Sequence, residues 1–159
     1  MTQIRPIESR DNSALAHIVQ HSLKAYQLDI PGTAYFDPEL SNLSQYYQSS
    51  PKRQYFVAST DNGEILGGNG IAEYAKNRIA ELQKLYLTEN ARGKHLSYKL
   101  LDAAINFAKH AGYKEVYLET HHNLKTAIHL YQKYGFSELG HPLNSGEHSA
   151  MDRFFVMAI

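Results

Sequence analysis

The chain has 159 residues, of which 43% are hydrophobic and 20% charged, and this size and composition fit one compact domain over residues 1–159. Lysine and arginine number 16, as do aspartate and glutamate, so no overall charge attracts nucleic acid or an anionic membrane. Cysteine is absent, which excludes disulfides, cysteine-ligated metals and a cysteine nucleophile. The N-terminus lacks the apolar core of a signal peptide, and no apolar run approaches the roughly 18 residues of a membrane span, so we expect a cytoplasmic protein.

The first half of the chain has the pattern of one strand, two helices and an antiparallel meander. Apolar residues recur at helical spacing from Leu15 to Leu23 and predict a helix of about fifteen residues. Asp37-Pro38-Glu39 predicts the start of a second helix, because proline is favoured in a first helical turn. Turns are predicted at Asp61-Asn62-Gly63, where Asn and Gly tolerate positive φ, and at Lys76-Asn77. Strand patterns cover residues 3–7, 55–58, 64–67 with 71–74, and 79–87.

The second half changes from hairpins to alternating helices and strands. An apolar stripe predicts a helix over residues 94–111, and a second helical face, which includes Leu124 and Tyr131, ends at Gly135. Strands are predicted over residues 115–120, 136–139 and 153–158. A strand, a helix and a further strand imply a right-handed parallel crossover. The order β-α-α-β-β-β-α-β-α-β-β therefore predicts an α+β fold with a mixed sheet.

The segment that leads into the long central helix is the first candidate site. A helix N-terminus presents unpaired N–H groups and about half a positive charge, so it can bind phosphate. Arg92 and Lys94 add cationic donors at this point. An ordinary strand-to-helix turn with two solvated basic side chains is the alternative. The segment lacks the Gly-Lys-Ser/Thr ending of a P-loop and the three glycines of a dinucleotide fingerprint.

Three segments together resemble the GNAT superfamily of acyl-CoA-dependent N-acetyltransferases. Arg92-Gly93-Lys94-His95-Leu96-Ser97 is similar to the superfamily's cofactor loop, Gln/Arg-x-x-Gly-x-Gly/Ala, and residues 81–87 resemble its central strand. Residues 127–136, AIHLYQKYGF, match the Ala-x-x-Leu-Tyr-x-x-x-Gly-Phe signature. The resemblance covers nearly the whole chain. It implies a GNAT fold with a mixed sheet of about seven strands, antiparallel in the N-terminal half and with a parallel crossover in the C-terminal half, flanked by about four helices.

The resemblance implies an acetyltransferase that uses acetyl-CoA as co-substrate, needs no metal and acetylates a primary amine. Because no cysteine can carry an acyl group, we expect direct transfer in a ternary complex. His95 in place of glycine and Leu124 in place of asparagine depart from the family pattern, and they leave open a non-catalytic acyl-CoA-binding or regulatory module. Homodimers are common in the superfamily, and the acceptor, a small-molecule or protein amine, is not determined. The implied cofactor residues are Leu85, Tyr86, Leu87, Arg92, Gly93, Lys94, His95, Leu96, Ser97 and Asn123.

The resemblance also implies two catalytic residues. Tyr131 aligns with a tyrosine that lies beside the leaving sulfur in many members, where it can supply a proton. Packing in an apolar helix face is the alternative for this residue. Glu81 lies eleven residues before Arg92, a spacing that resembles the position of a strand carboxylate acting as general base. An exposed strand-end charge, a substrate contact or a water relay are the alternatives for Glu81.

The acceptor wall is expected in the segments with the least regular pattern. The candidate substrate residues are Tyr26, Tyr35, Glu119 and His148, each with packing or a solvated surface position as the alternative. Glu119 is also a second candidate base. His121 and His122 are neighbours in a loop and His129 lies on a polar helix face, so these histidines, even with Glu119, do not predict a metal site.

Overall fold

The structure is a computed structural model that describes residues 1–74, 78–144 and 148–159. Within these ranges the chain forms a seven-stranded sheet with helices packed on both faces. The strands are β1 (Thr2–Pro6), β2 (Gln54–Thr60), β3 (Ile65–Glu73), β4 (Ile79–Leu87), β5 (Glu115–Thr120), β6 (Ser137–Leu139) and β7 (Arg153–Ala158). The α-helices are α1 (Asn12–Ala25), α2 (Leu43–Gln48), α3 (Leu96–His110) and α4 (Lys125–Tyr134).

The sheet has the strand order β1-β2-β3-β4-β5-β7-β6. Neighbouring strands run antiparallel except β4 and β5, which are parallel and are connected through α3. The predicted α+β fold, with a mixed sheet and a parallel crossover in its second half, is confirmed. The two strand patterns expected over residues 64–67 and 71–74 form the single strand β3.

Two helices begin later than the sequence pattern predicts. The second helix opens with a 3₁₀ segment, Pro38–Asn42, before α2 starts. The long central helix begins at Leu96 rather than Lys94, because Gly93 and His95 have φ values of 77° and 59°. A residue in this left-handed region cannot continue a right-handed helix. The turn predicted at Lys76-Asn77 lies outside the described residues.

The core is divided between the two faces of the sheet. Helices α3 and α4 bury Leu101, Ile105 and Ile128 against one face, and α1 buries Leu15 and Leu23 against the other. Burial of each such side chain contributes about 1.5–3 kcal/mol. The helices that carry these side chains are apolar on one side only. No helix in the described ranges is long and apolar enough to cross a membrane. The cytoplasmic location stays a prediction.

Two buried tyrosines reach from the helical layer and β2 to the backbone and side chains of β4. A Cβ atom at Gly70 of β3 would lie 2.7 Å from atoms of both Tyr47 and Tyr55, so only glycine fits beneath the two rings. The Tyr47 hydroxyl donates to Oε1 of Gln83 at 2.6 Å, and the Tyr55 hydroxyl donates to the carbonyl oxygen of Lys84 at 2.8 Å. These two tyrosines therefore help to fix the conformation of β4.

Candidate active site

A cleft opens between the two parallel strands. β4 and β5 are paired over only three residues each, from the pair Ile79 and Glu115 to the pair Glu81 and Tyr117. β4 nevertheless continues to Leu87. Beyond Glu81, β4 has no strand partner on its β5 side within the described residues. The cavity between the diverging strands has a volume of about 180 Å³. An extended ligand can therefore hydrogen-bond to the free edge of β4 as an added strand would.

A β-bulge shapes the β4 side of this cleft. One β3 residue, Asn69, stands opposite two β4 residues, Lys84 and Leu85. Lys84 has a φ of 51°, a left-handed conformation that is costly for a residue other than glycine. The hydrogen bond from Tyr55 to the Lys84 carbonyl holds this conformation. Because a bulge bends its strand and redirects the side chains, it adds to the divergence of β4 from β5.

The loop before α3 presents free backbone N–H groups at one end of the cleft. The first N–H groups of a helix have no acceptor within the helix, and Arg92 beside them lines the cleft. A Cβ on Gly93 would meet no atom within 4 Å, so the loop is open to a ligand. The family pattern has glycine at the position of His95, and the backbone here is left-handed, a conformation that glycine adopts without strain. Histidine is among the other residues that are found in this conformation. This arrangement suits an anion such as a pyrophosphate.

The predicted cofactor residues are divided between the cleft wall and the loop. Leu85, Tyr86, Leu87, Arg92 and Ser97 line the cleft, and Gly93, Lys94 and His95 form the loop before α3. Leu96 is buried in the core as the first residue of α3. The side-chain amide of Asn123 donates to the carbonyl oxygen of Tyr26 at 3.0 Å, and the next residue, Leu124, lines the cleft. Asn123 thus ties the loop after β5 to the end of α1.

Tyr131 is at once a core residue and a part of the cleft wall. Its side chain is 7% exposed, and its ring centroid lies 5.8 Å from that of Phe136 and 6.2 Å from that of Phe155. It also lines the cleft opposite β4. Burial raises the pKa of Tyr131 above its ordinary value, so the phenol stays protonated. The packing role and the cleft role considered from the sequence are therefore compatible.

A chain of hydrogen bonds positions the carboxylate of Glu81. Tyr47 donates to the side-chain oxygen of Gln83, and the amide nitrogen of Gln83 donates to Oε1 of Glu81 at 2.7 Å. Burial raises the pKa of Glu81 above its ordinary value; the hydrogen bond from Gln83 opposes this shift and the charge of Glu119 adds to it. The carboxylate of Glu81 is therefore half-buried and fixed by a hydrogen bond, and it is not a solvated charge at the end of a strand.

A second cavity, of about 220 Å³, adjoins the cleft and shares Lys84 and Glu119 with it. We call it the acidic cavity, because Glu81, Glu119 and two further glutamates line it together with His148. The Tyr117 hydroxyl donates to Oε2 of Glu119 at 2.7 Å. Burial raises the pKa of Glu119, and the bond from Tyr117 opposes the shift. Three candidates from the sequence, Glu81, Glu119 and His148, therefore meet in one cavity.

A buried ion-pair network that the sequence did not predict lies between the two cavities. Nζ of Lys84 is 2.7 Å from Oδ2 of Asp37, and the two side chains are 2% and 7% exposed. Nε2 of His148 lies 2.8 Å from Oδ1 of the same aspartate. Burial opposes the charged form of His148, but the hydrogen bond and charge of Asp37 outweigh it and raise the pKa of the imidazole. Asp37 thereby joins β4 to the loop that precedes β7.

The two tyrosines expected in the acceptor wall lie in different places. Tyr26 lines the cleft near the end of α1. Tyr35 packs edge to face on Phe36 with ring centroids 5.0 Å apart, and it lines neither the cleft nor the acidic cavity. Its carbonyl oxygen accepts a hydrogen bond from Gln20 at 3.1 Å. Tyr35 therefore connects its segment to α1.

Two of the loop histidines meet an aspartate, in a different grouping from the one considered in the sequence. His121, His122 and Asp152 offer ligand atoms within 4.8 Å of one another. Nδ1 of His121 accepts the backbone N–H of Asn123 at 3.1 Å, so the neutral ring carries its proton on Nε2, the atom that faces Asp152. His122 is hydrogen-bonded to Asp152 through Nδ1. Asp152 is therefore hydrogen-bonded to His122, whereas Nε2 of His121 lies 4.0 Å from its carboxylate, in the loops that flank β5 and β7.

Comparison with known proteins agrees with this architecture. The model of the Acetyltransferase (GNAT) family matches residues 18–136. The N-acetyltransferase YjgM of Escherichia coli is 37% identical over 148 residues, which cover 91% of this chain and 87% of YjgM. A GNAT-family acetyltransferase structure from Staphylococcus aureus superposes with a TM-score of 0.88 at 22% identity and covers 99% of both chains. The PaiA N-acetyltransferase of Thermoplasma acidophilum, solved in complex with coenzyme A, has a TM-score of 0.79 at 22% identity, over 100% of this chain and 99% of that one.

These findings agree with the sheet topology and with the three sequence segments that resemble the GNAT superfamily. The matched family region runs from within α1 to the residue before β6, and it includes the loop before α3 and every residue of the cleft wall except Met151. The chain belongs to the GNAT family of acetyltransferases and is an N-acetyltransferase.

Proposed function

We propose that this acetyltransferase binds acetyl-CoA in the cleft and transfers the acetyl group directly to a primary amine held in the acidic cavity. The observation that carries the proposal is the junction of the two cavities at Lys84 and Glu119, where β4 and β5 diverge. One cavity leads to the N-terminus of α3, and the other is lined by the carboxylate of Glu81. We treat residues 1–159 as one N-acetyltransferase domain.

Two features of the cleft suit acetyl-CoA. The free edge of β4 at residues 85–87 can pair with an extended pantetheine arm, because an amide-bearing chain can replace the missing strand. The N–H groups of the loop before α3 and the guanidinium of Arg92 can bind the pyrophosphate. Acetyl-CoA, when bound, supplies a thioester carbonyl and a thiolate leaving group. His95 is exposed and does not line the cleft, so its side chain leaves the path of the pantetheine arm open.

Glu81 is the proposed general base. An alkylammonium group has a pKa near 10, so it must lose a proton before its nitrogen can attack a thioester. Glu81 lines the acidic cavity, is oriented by Gln83 and has a pKa that burial raises above its ordinary value. The carboxylate receives the proton from the ammonium group, directly or through a water molecule. The neutral amine then forms the new C–N bond as the C–S bond breaks. The second proton that its nitrogen must lose is taken up by the departing thiolate, which leaves as the CoA thiol.

Tyr131 is the proposed donor to the departing sulfur. A thiol has a pKa near 8.5, whereas burial raises the pKa of the Tyr131 phenol above its ordinary value of 10.0. The phenol holds its proton more tightly than a thiol does, so Tyr131 stabilises the thiolate chiefly by hydrogen bonding. Backbone N–H groups near Leu87, at the free end of β4, are the proposed donors to the carbonyl oxygen as negative charge develops on it.

Two measurements test the proposal. Titration calorimetry should give a dissociation constant for acetyl-CoA in the micromolar range, and a value above about 1 mM would refute binding in the cleft. An assay of CoA release over a panel of alkylamines, polyamines, amino acids and a peptide separates the enzyme from a non-catalytic acyl-CoA-binding module, because the module would bind acetyl-CoA without acetylating any amine. Initial rates that give intersecting double-reciprocal lines support the ternary complex, and parallel lines contradict it.

A further inference from the structure

The carboxylates of the acidic cavity are not all matched by cations of the protein. Glu73 is paired with Arg53, and Nζ of Lys84 lies 3.5 Å from Oε1 of Glu39. Glu81 and Glu119 have no ion-pair partner within the ranges that the structure describes. Half-buried carboxylates of this kind lose hydration without a directly bound cation. The nearby charge of His148 offsets this loss only in part, since the pKa of both carboxyl groups stays raised, and a cationic ligand would supply the missing partner.

Each of these two carboxylates has one oxygen that no described residue binds. Gln83 donates to Oε1 of Glu81, and Tyr117 donates to Oε2 of Glu119, both at 2.7 Å. Both donors are neutral groups. The second oxygen of each carboxylate accepts no hydrogen bond from a side chain or backbone group in the described part of the chain. An ammonium group, with three donors, suits such oxygens.

The cations that line the acidic cavity are already bound to another carboxylate. Lys84 lies 2.7 Å and His148 2.8 Å from oxygens of Asp37. An acceptor that carries its own carboxylate would therefore meet unpaired negative groups and no free cation among the described lining residues. The cavity thus favours a positive group on the acceptor and disfavours a negative one.

We propose that the acceptor is an aliphatic diamine or polyamine, in which one amine is acetylated while a second ammonium group binds the carboxylate of Glu119. This inference rests on the proposed function and narrows its substrate class. Glu81 accepts the proton of the reacting nitrogen, so the two unpaired carboxylates have separate tasks. In the transfer itself the acetyl carbon exchanges its bond to sulfur for a bond to nitrogen, and the second proton lost by that nitrogen converts the departing thiolate to the CoA thiol. The second amine takes no part in the exchange.

Three acceptors with the same four-carbon chain test the inference: 4-aminobutanoate, butylamine and 1,4-diaminobutane. They differ only in the terminal group, which is negative, apolar or positive. With acetyl-CoA saturating, we expect kcat/KM for CoA release to rise along this series, with diaminobutane about tenfold above butylamine. Two equivalent amines alone account for a factor of two. A diaminobutane to butylamine ratio of two or less, or a preference for 4-aminobutanoate, overturns the inference.

The Glu119→Gln variant tests whether the carboxylate of Glu119 binds the second ammonium group. We expect its diaminobutane to butylamine ratio to fall toward two, mainly through a higher KM for the diamine, while its dissociation constant for acetyl-CoA shows that the variant is folded. Glu115→Gln, at the exposed start of the same strand, is the matched control and should keep the wild-type ratio. An unchanged ratio in Glu119→Gln overturns the role of Glu119. Acetylation of butylamine without a diamine preference refutes the inference alone, whereas no CoA release with any amine refutes the proposed function as well.

Discussion

The cleft and the acidic cavity adjoin one another but are built in different ways. The cleft is made largely of backbone: the free edge of β4, its bulge, and the N–H groups of the loop before α3. The acidic cavity is made of side chains that come from separate segments, such as Glu39, Glu81 and His148. Asp37, which is hydrogen-bonded to His148, lies 111 residues before it in the chain. A backbone site tolerates changes of side chain, as at His95, whereas a side-chain site depends on every segment that contributes to it.

Replacement of the proposed base should have the largest effect. Glu81→Gln keeps a hydrogen-bonding side chain but cannot accept a proton, so we expect kcat to fall about 100-fold or more. Because the pKa of Glu81 is raised, the wild-type rate should decline as the pH falls through that raised value, where the base becomes protonated. This acidic limb should be absent in the variant. The pH profile of kcat/KM measures it, and an acidic limb that persists in Glu81→Gln would assign the proton to another base or a water relay.

Tyr131 tests whether the cleft also depends on a particular side chain. Tyr131→Phe removes only the hydroxyl and keeps the ring against Phe136 and Phe155, so the fold should be preserved. We expect kcat to fall about tenfold to 100-fold, with little change in the dissociation constant for acetyl-CoA, because the hydrogen bond to sulfur strengthens as charge develops. Steady-state kinetics with calorimetry separate the two effects. Equal turnover in the variant would leave Tyr131 with a packing role alone.

Arg92 should affect binding rather than turnover. In Arg92→Ala the backbone N–H groups of the loop remain, so we expect the KM for acetyl-CoA to rise about tenfold, with kcat nearly unchanged. Lys133→Ala, an exposed lysine on α4, is the matched control for loss of one positive charge. If KM for acetyl-CoA rises by a similar factor in both variants, the loss of one positive charge explains the effect, and a direct contact between Arg92 and the cofactor is contradicted.

Replacement of His95 measures how much stability the protein loses by having a side chain at a left-handed loop position. The φ of 59° costs a residue other than glycine about 1–2 kcal/mol, while glycine adds chain entropy to the unfolded state. We expect His95→Gly to raise the free energy of unfolding by about 0.5–1 kcal/mol, and His95→Ala, which keeps the strain, to give no such gain. Urea denaturation measures both variants. A less stable glycine variant would mean that the imidazole makes a stabilising contact that exceeds the strain.

The cleft was predictable from sequence because its signals are local. Arg92 and Ser97 lie in one short segment and Tyr131 in another, and the resemblance of these two segments to family motifs was enough to single out the three residues that now line the cleft. The start of α3 was predicted two residues early, since nothing in the composition of Lys94 and His95 shows that the backbone turns left-handed there. The use of Asn123 to bind the Tyr26 carbonyl was not predicted either, because that contact joins residues 97 positions apart.

The acidic cavity was only partly predictable. Glu81, Glu119 and His148 were named individually, but no pattern in the chain indicated that they share one cavity. The ion pair of Lys84 with Asp37 was missed. A lysine amid the hydrophobic residues of β4 is a signal that could have been noticed, whereas the pattern around Asp37 predicts only a helix start. The hydrogen bonds from Tyr47 and Gln83 that hold Glu81 depend on the packing of α2 over glycines of β3.

The sequence by itself determined the order of the elements, the α+β class, the loop before α3 and the resemblance to the acetyltransferase family, because each of these follows from the spacing of neighbouring residues. Only the tertiary structure decided where β4 and β5 diverge, which carboxylates of the described residues have no directly bound cation, and which cations are already paired. Those properties depend on distances between segments far apart in the chain, and hydrophobic spacing along the chain does not encode them. The overall charge is zero, but charge is not spread evenly over the molecule. One end of the cleft suits anions, and the adjoining acidic cavity suits cations.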